Sequence, residues 1–228
     1  MANEENKTLN KKSTLLNSNH KRKHKNYDPL IWTLDQNPIT NAKLLSDKYL
    51  KYTIEKGIDI LVSLRLYVAG IRNKKSFCYW FDSIRKESSI LKIFPNYDFE
   101  NNMVVKFRFF SHRTTKWARK CGEHAKFVED NVFQCALEYM RRYNKSYPSQ
   151  NFIEYLCVIN PISKQMPLGK MKKLIPEWKN IPPKYRCNDV YMAFKRFYKS
   201  KIEDPFEEYK FSKTDIPEFL ISNNAILV

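Results

Sequence analysis

The feature that most restricts what this chain can fold into is an apolar stripe between Trp117 and Tyr139. Trp117, Cys121, His124, Val128, Cys135 and Tyr139 recur at separations of three, four and seven residues, the period of an amphipathic helix. The spacing predicts one long helix from about Lys116 to Tyr143, with Thr114 or Thr115 as its cap. A helix that long with one apolar face needs other elements to cover it. Asn131 falls on the same face, so its amide needs buried partners. His124 is read as a core or boundary histidine.

Several stretches can supply the cover. Leu50, Ile54, Ile58, Leu61, Leu64 and Val68 keep a helical period, as do Phe77, Trp80, Phe81, Ile84 and Ile90 within Ser76 to Phe94. Ser149 opens a shorter helix through Ile159 that presents Phe152, Ile153, Leu156 and Ile159. A basic helix runs from Asn188, its expected cap, to Lys201. It places Val190, Ala193, Phe194 and Phe197 on one face, with Lys195, Arg196, Lys199 and Lys201 mostly on the other. Pro182 and Pro183 mark its approach.

The period changes to two at Met103, where Val105, Phe107 and Phe109 alternate with Lys106, Arg108 and Phe110, which predicts a strand. Three short pieces after Lys201 also read as β: Glu208-Tyr-Lys-Phe, Phe219-Leu-Ile and Ala225-Ile-Leu-Val, with a turn at Asn223-Asn224. The expected fold class is α+β, a mostly helical bundle inserted into a small, incomplete antiparallel β-barrel. Residues 1–28 are expected to be a disordered basic tail and 29–100 an N-terminal helical extension. Residues 101–114 and 202–228 are expected to supply the strands, and 115–201 the helical bundle. A final strand that stops at Val228 points to truncation or to completion by another chain.

Charge narrows the partners. The 228 residues carry a net charge of +17, which favours a polyanion. Lys164 to Lys201 holds eleven Lys and Arg against two acids, a local +9, and Lys106 to Lys145 holds ten against four, a local +6. The apolar run from Ile58 to Ile71 is too short for a bilayer and is broken by Asp59 and Arg65, so no membrane partner is expected. Lys11-Lys12 and Lys21 to Lys25 form two basic clusters that read as a bipartite nuclear import signal and equally as a nucleic-acid-touching arm.

Catalytic signatures are missing from the sequence. Only four glycines occur, with no phosphate-cradling Gly-rich loop and no GxSxG. The five cysteines are widely spaced without a CxxC pair, consistent with free thiols in a reducing intracellular compartment. Cys121 and His124 form a lone CxxH with no second ligand pair, so neither zinc nor any other cofactor is expected. Glu203, Asp204, Glu207 and Glu208 read as a solvated acidic run, not as a two-metal site.

Four stretches resemble the N-terminal half of the transposon-associated RNA-guided nucleases, TnpB and the related Fanzor proteins. Lys106-Phe-Arg-Phe-Phe resembles the family's K-Y-R-I/L-Y strand. Lys126-Phe-Val-Glu-Asp-Asn-Val-Phe-Gln-Cys-Ala-Leu is similar to its R-F-V-Y-N-x-A-L segment, with Lys126 in place of Arg and Glu129 and Asp130 intruding. Glu177-Trp-Lys-Asn-Ile-Pro through Ala193-Phe-Lys-Arg-Phe-Tyr looks like its W-L-x-x-V/I-P…A-F-x-x-F-F helix. Tyr209-Lys-Phe-Ser-Lys-Thr-Asp resembles its F-K/R-S-K-K-D return. The likeness covers about Met103 to Val228 and stops before the family's RuvC nuclease domain. It implies a non-catalytic wedge and recognition bundle that grips guide RNA, or an RNA–DNA duplex, by backbone shape. A nuclease half would then lie elsewhere.

The candidate phosphate contacts fall into two groups. Lys106, Arg108, Arg113, Lys116, Arg119 and Lys120 form the first, and Lys184, Arg186, Lys195, Arg196 and Lys199 the second. Tyr185, Tyr191 and Tyr198 could stack on bases, though tyrosines at helical spacing are more often core. The competing reading is a viral or mobile-element structural protein that packages nucleic acid as a homo-oligomer, its sheet completed between copies.

Overall fold

The computed structural model describes residues 29–72, 110–169, 181–204 and 209–221. Seven α-helices lie among them: α1 (Pro38–Leu44), α2 (Asp47–Val68), α3 (Arg113–Ala118), α4 (Gly122–Tyr143), α5 (Gln150–Glu154), α6 (Val190–Ile202) and α7 (Glu218–Ile221). A π-turn (Tyr155–Ile159) extends α5, and two 3-10 turns occupy Ile162–Gln165 and Pro183–Tyr185. No strand occurs among the described residues, so their architecture is all-α and the expected helical bundle inserted into a β-barrel is overturned. Phe219 to Ile221, read as a strand, lies in α7, where Leu220 N–H donates to Pro217 C=O at 2.8 Å. Tyr209 to Phe211 is irregular because its polar groups are taken by a helix end: Asp47 N–H donates to Lys210 C=O at 2.8 Å. The strands expected at Met103 to Phe109 and at Ala225 to Val228, and the helix expected over Ser76 to Phe94, lie outside the described residues.

The main packing is α2 against α4, each 22 residues long. Most of the predicted faces are buried. Leu50, Ile54, Leu61 and Leu64 are inaccessible on α2, and Val128 and Cys135 on α4, whereas Val68 is exposed. Gly57 lets the two helices approach, since a Cβ there would lie 2.0 Å from Val132 Cγ2. At its C-terminus α2 closes with Gly70 at φ +85°; Ile71 N–H donates to Leu66 C=O and Gly70 N–H to Tyr67 C=O. Those two bonds and a buried Ile71 make a Schellman close.

The single helix expected from Lys116 to Tyr143 is broken at Cys121. Cys121 is extended (φ −163°, ψ 164°), and the N–H of Gly122 turns away from α3 to donate to Pro167 C=O at 2.9 Å. The corner is held by His124, whose ring stacks on Trp117 at 4.1 Å with its Nδ1 2.8 Å from Trp117 C=O. His124 is thus a core histidine, and His112, not a threonine, caps α3 by accepting from Thr114 N–H. On α5 and the π-turn that extends it, Phe152, Ile153 and Leu156 are buried as expected, but Ile159 is 71 % exposed at the end of the turn. The cap of α6 is Asp189, which accepts from Tyr191 and Met192 N–H, one residue later than read from sequence.

The other end of α2 is built around Trp32. Residues 29–34 run as an irregular, wholly buried strap, and the Trp32 ring meets Tyr49 at 4.8 Å, Tyr198 at 5.1 Å and Phe197 at 5.5 Å. Asn41 fastens the strap: its Oδ1 accepts from Leu34 N–H at 2.7 Å, and its Nδ2 donates to Trp32 C=O and to Asn131 Oδ1. Asn131 donates in turn to Phe127 C=O at 2.8 Å. The buried amide expected on the long helix therefore has its partners, across 90 residues of chain.

Candidate nucleic-acid interface

The first basic group gathers on α3. Thr114, Trp117 and Ala118 face the core, so helical geometry turns Arg113 and Lys116 outward; Lys120 follows in the turn after α3, and all three are exposed. None of the three is ion-paired among the described residues. Arg113 also acts locally, because burial first and then its charge hold the capping His112 below the usual imidazole range. Arg119 behaves differently. Its guanidinium lies between two rings, 4.5 Å from the centre of Tyr67 and 3.8 Å from that of Phe110, and donates to Phe110 C=O. It tethers the C-terminal end of α2 to the chain entering α3, leaving its flat faces occupied. Lys106 and Arg108 lie outside the described residues.

The second group surrounds α6. Lys184 is exposed, its ammonium 4.7 Å from the Tyr185 ring centre, and that ring packs on Phe197. Arg186 folds back, donating from Nε to Ile181 C=O at 2.7 Å. Lys195, Arg196 and Lys199 are half-buried beside the Val190–Phe197 face; Lys195 sits 5.6 Å over Phe219 and Lys199 lies 3.8 Å from Glu203. Of the three tyrosines, Tyr198 is inaccessible, and burial pushes its phenol up while its oxygen accepts from Ser46 N–H. It is core, and Tyr185 and Tyr191 are half-buried.

The two groups do not adjoin. Arg119 reaches Tyr67 at one end of α2, while α6 packs through Tyr198 on Tyr49 at the other. Eighteen residues of helix separate those tyrosines, about 27 Å at 1.5 Å per residue.

Sequence patterns missed a buried ionic node where α1, α2, α4 and residues 209–215 meet. The Arg142 side chain is inaccessible; it donates to Glu138 Oε1 at 2.7 Å, to Asp47 Oδ1 at 2.9 Å, and to the carbonyls of Ala42 and Lys43. Burial pushes the Asp47 carboxyl up, but hydrogen bonds from Ser212, Arg142 and Tyr143 outweigh it and hold the group below the ordinary carboxylate range. Glu138 behaves alike, with burial overcome by Arg141 and Arg142. Glu129, 2 % exposed, goes the other way: burial raises it, and the Ser163 hydroxyl and amide only partly offset that. The Glu138/Arg142 spacing of four was the one signal available on α4.

No group of three or more His, Cys, Asp or Glu among the described residues is arranged to hold a metal ion. The four described cysteines are free thiols, and burial pushes that of Cys135 up to about 12. No described helix is long and apolar enough to cross a membrane. No protein-family model matches the chain, and neither a curated protein nor a solved structure matches it.

Proposed function

We propose that the chain is a nucleic-acid-binding protein without catalysis of its own, which grips backbone phosphates through separate cationic faces. The observation that carries this is the outward face of α3 and the turn after it, where Arg113, Lys116 and Lys120 stand exposed without described counter-charges in a chain of net charge +17. Cations so placed release condensed counterions when they meet phosphate, and that release drives binding. Lys184, Lys195 and Lys199 supply the second face. The motif resemblance to TnpB and Fanzor proteins favours RNA, alone or paired with DNA, as the ligand. The barrel of that family has no place in this proposal. Lys11-Lys12 and Lys21 to Lys25 add either further phosphate contacts or nuclear import.

Fluorescence anisotropy with labelled RNA and DNA across a salt series tests it. Binding should weaken linearly in log–log coordinates, by about 0.7–0.9 per phosphate neutralised. Arg113→Gln, Lys116→Gln and Lys120→Gln together should lower that slope by about two to three. A chain that binds neither polymer at low salt, or binds with no salt dependence, would end the proposal.

A further inference from the structure

Outside both basic groups lies a shallow pocket of about 560 Å³, lined by Lys43, Arg141, Lys213, Thr214 and Asp215. It brings together the last turn of α1, the last turn of α4 and a loop 170 residues away from α1. Three of its five lining residues are cations.

Each of those cations hangs from the buried ionic node. Glu138 grips Arg141 side-on, accepting from Nε at 2.8 Å and from Nη2 at 2.6 Å, while Arg141 Nη1 donates to Lys213 C=O at 3.0 Å. Those three bonds fix the plane of the guanidinium. It has five N–H donors, so two remain uncommitted by them. The Lys43 carbonyl is held by Arg142 at 3.1 Å. Ser212, next to Lys213, is held by Asp47 through its hydroxyl and its amide. Lys213 itself sits at φ 53°, a left-handed conformation that is uncommon for a residue other than glycine. The charges of Asp47, Glu138, Arg141 and Arg142 balance, which leaves Lys43 and Lys213 against Asp215 alone. The pocket is therefore lined by a guanidinium held in place, two lysines, a threonine and one aspartate.

From this geometry we infer that the pocket is a binding site for a phosphate group. A planar guanidinium fixed from behind and flanked by lysines suits a tetrahedral oxyanion, because its donors need no ordering when the ligand arrives. The site goes beyond the phosphate grip proposed for α3 and α6, and shares no residue with it. The phosphate belongs either to a polynucleotide or to a small phosphorylated molecule.

Pyrophosphate, titrated at constant ionic strength into the full-length ¹⁵N-labelled chain, tests the inference without reference to nucleic acid. Saturable shifts are expected at the amides of Lys43, Lys213 and Thr214, with half-saturation near about 0.1–1 mM. The double variant Lys43→Gln/Lys213→Gly should weaken binding at least about tenfold. Glycine accepts a positive φ without strain, so that variant should melt with the wild type. Displacement of pyrophosphate by a short single-stranded RNA would assign the phosphate to a polynucleotide; retention of pyrophosphate would assign it to a small ligand. Shifts that never saturate, or a double variant that binds as tightly as wild type, would overturn the site. RNA binding lost while pyrophosphate still saturates would instead count only against the function proposed above.

Discussion

Replacing Arg142 by methionine should be among the most damaging single changes in this fold. The side chain is inaccessible and serves two carboxylates and two carbonyls. Removing one partner of a buried ion pair costs about 3–5 kcal/mol. The lower end applies to the charges, because Glu138 keeps Arg141 and Asp47 keeps Ser212 and Tyr143. Loss of donors to Ala42 and Lys43 C=O adds about 1 kcal/mol. The total is about 4 kcal/mol, or a melting temperature lowered by about 8–16 °C for a chain of this size. Urea titration and calorimetry at neutral pH measure it. A pH series identifies the cause. Asp47 and Glu138 have lowered folded pKa values, so their stabilisation is complete above the unfolded values and fades as pH falls through the folded ones. The gap between wild type and variant should therefore close below about pH 4. A loss under about 1 kcal/mol, or one that is the same at low pH, would refute the account. Adding Asp47→Asn to the variant should cost less than the two changes do separately.

Asn41→Ala strands Leu34 N–H, Trp32 C=O and the Asn131 amide oxygen in the core; a loss of about 3 kcal/mol by urea titration is expected. Gly57→Ala drives a methyl group into Val132 and should cost about 1–3 kcal/mol, with Val132→Ala restoring part of it in the double variant. Glu129 has a raised pKa, so its sign opposes that of Asp47: the favourable protonated form is fully populated below the unfolded pKa, and that contribution disappears as pH rises through the folded value. Glu129→Gln should accordingly flatten the stability profile above about pH 4.5, while Asp47→Asn flattens it below. Duplexes shorter than about 8 base pairs, at about 3.4 Å per pair, are no longer than the stretch of α2, about 27 Å, between the tyrosines that anchor the two cationic groups. Their salt slopes should drop when one group is neutralised and be indifferent to the other.

Helical periodicity exposed the inward faces of α2, α4 and α6, because burial on one side of a helix leaves a trace in every turn. It also marked Asn131 as an amide in need of partners, without locating Asn41, which lies 90 residues upstream. Three features left weaker traces. The strap at 29–34 has no period, so Trp32 looked like a tryptophan in extended chain and not the centre of an aromatic cluster. The break at Cys121 comes from a distant carbonyl, that of Pro167, taking the N–H of Gly122. Phe219-Leu-Ile is apolar enough for a strand, but the preceding Pro217 opens a helical turn instead. Basic residues were the least legible. Arg119 and Lys116 are three residues apart and chemically alike, yet one is clasped between rings and the other stands exposed.

That contrast bears on where charge sits in the molecule. Three acids, Asp47, Glu129 and Glu138, are buried, at 8 %, 2 % and 6 % exposure. Their partners are Ser212, Ser163, Arg142 and the backbone, with the half-exposed Arg141 also on Glu138. Of the described cations only Arg65 and Arg142 are comparably buried. Among the described residues the core thus takes in three acidic side chains and two arginines. Stability and the phosphate grip of the α3 face consequently draw on separate sets of residues, whereas the Lys43–Arg141–Lys213 pocket depends on the node. Neutralising Arg113, Lys116 and Lys120 should weaken binding while the melting temperature holds. Disrupting the Asp47–Arg142–Glu138 node should unfold the protein before it alters the affinity of the folded α3 face.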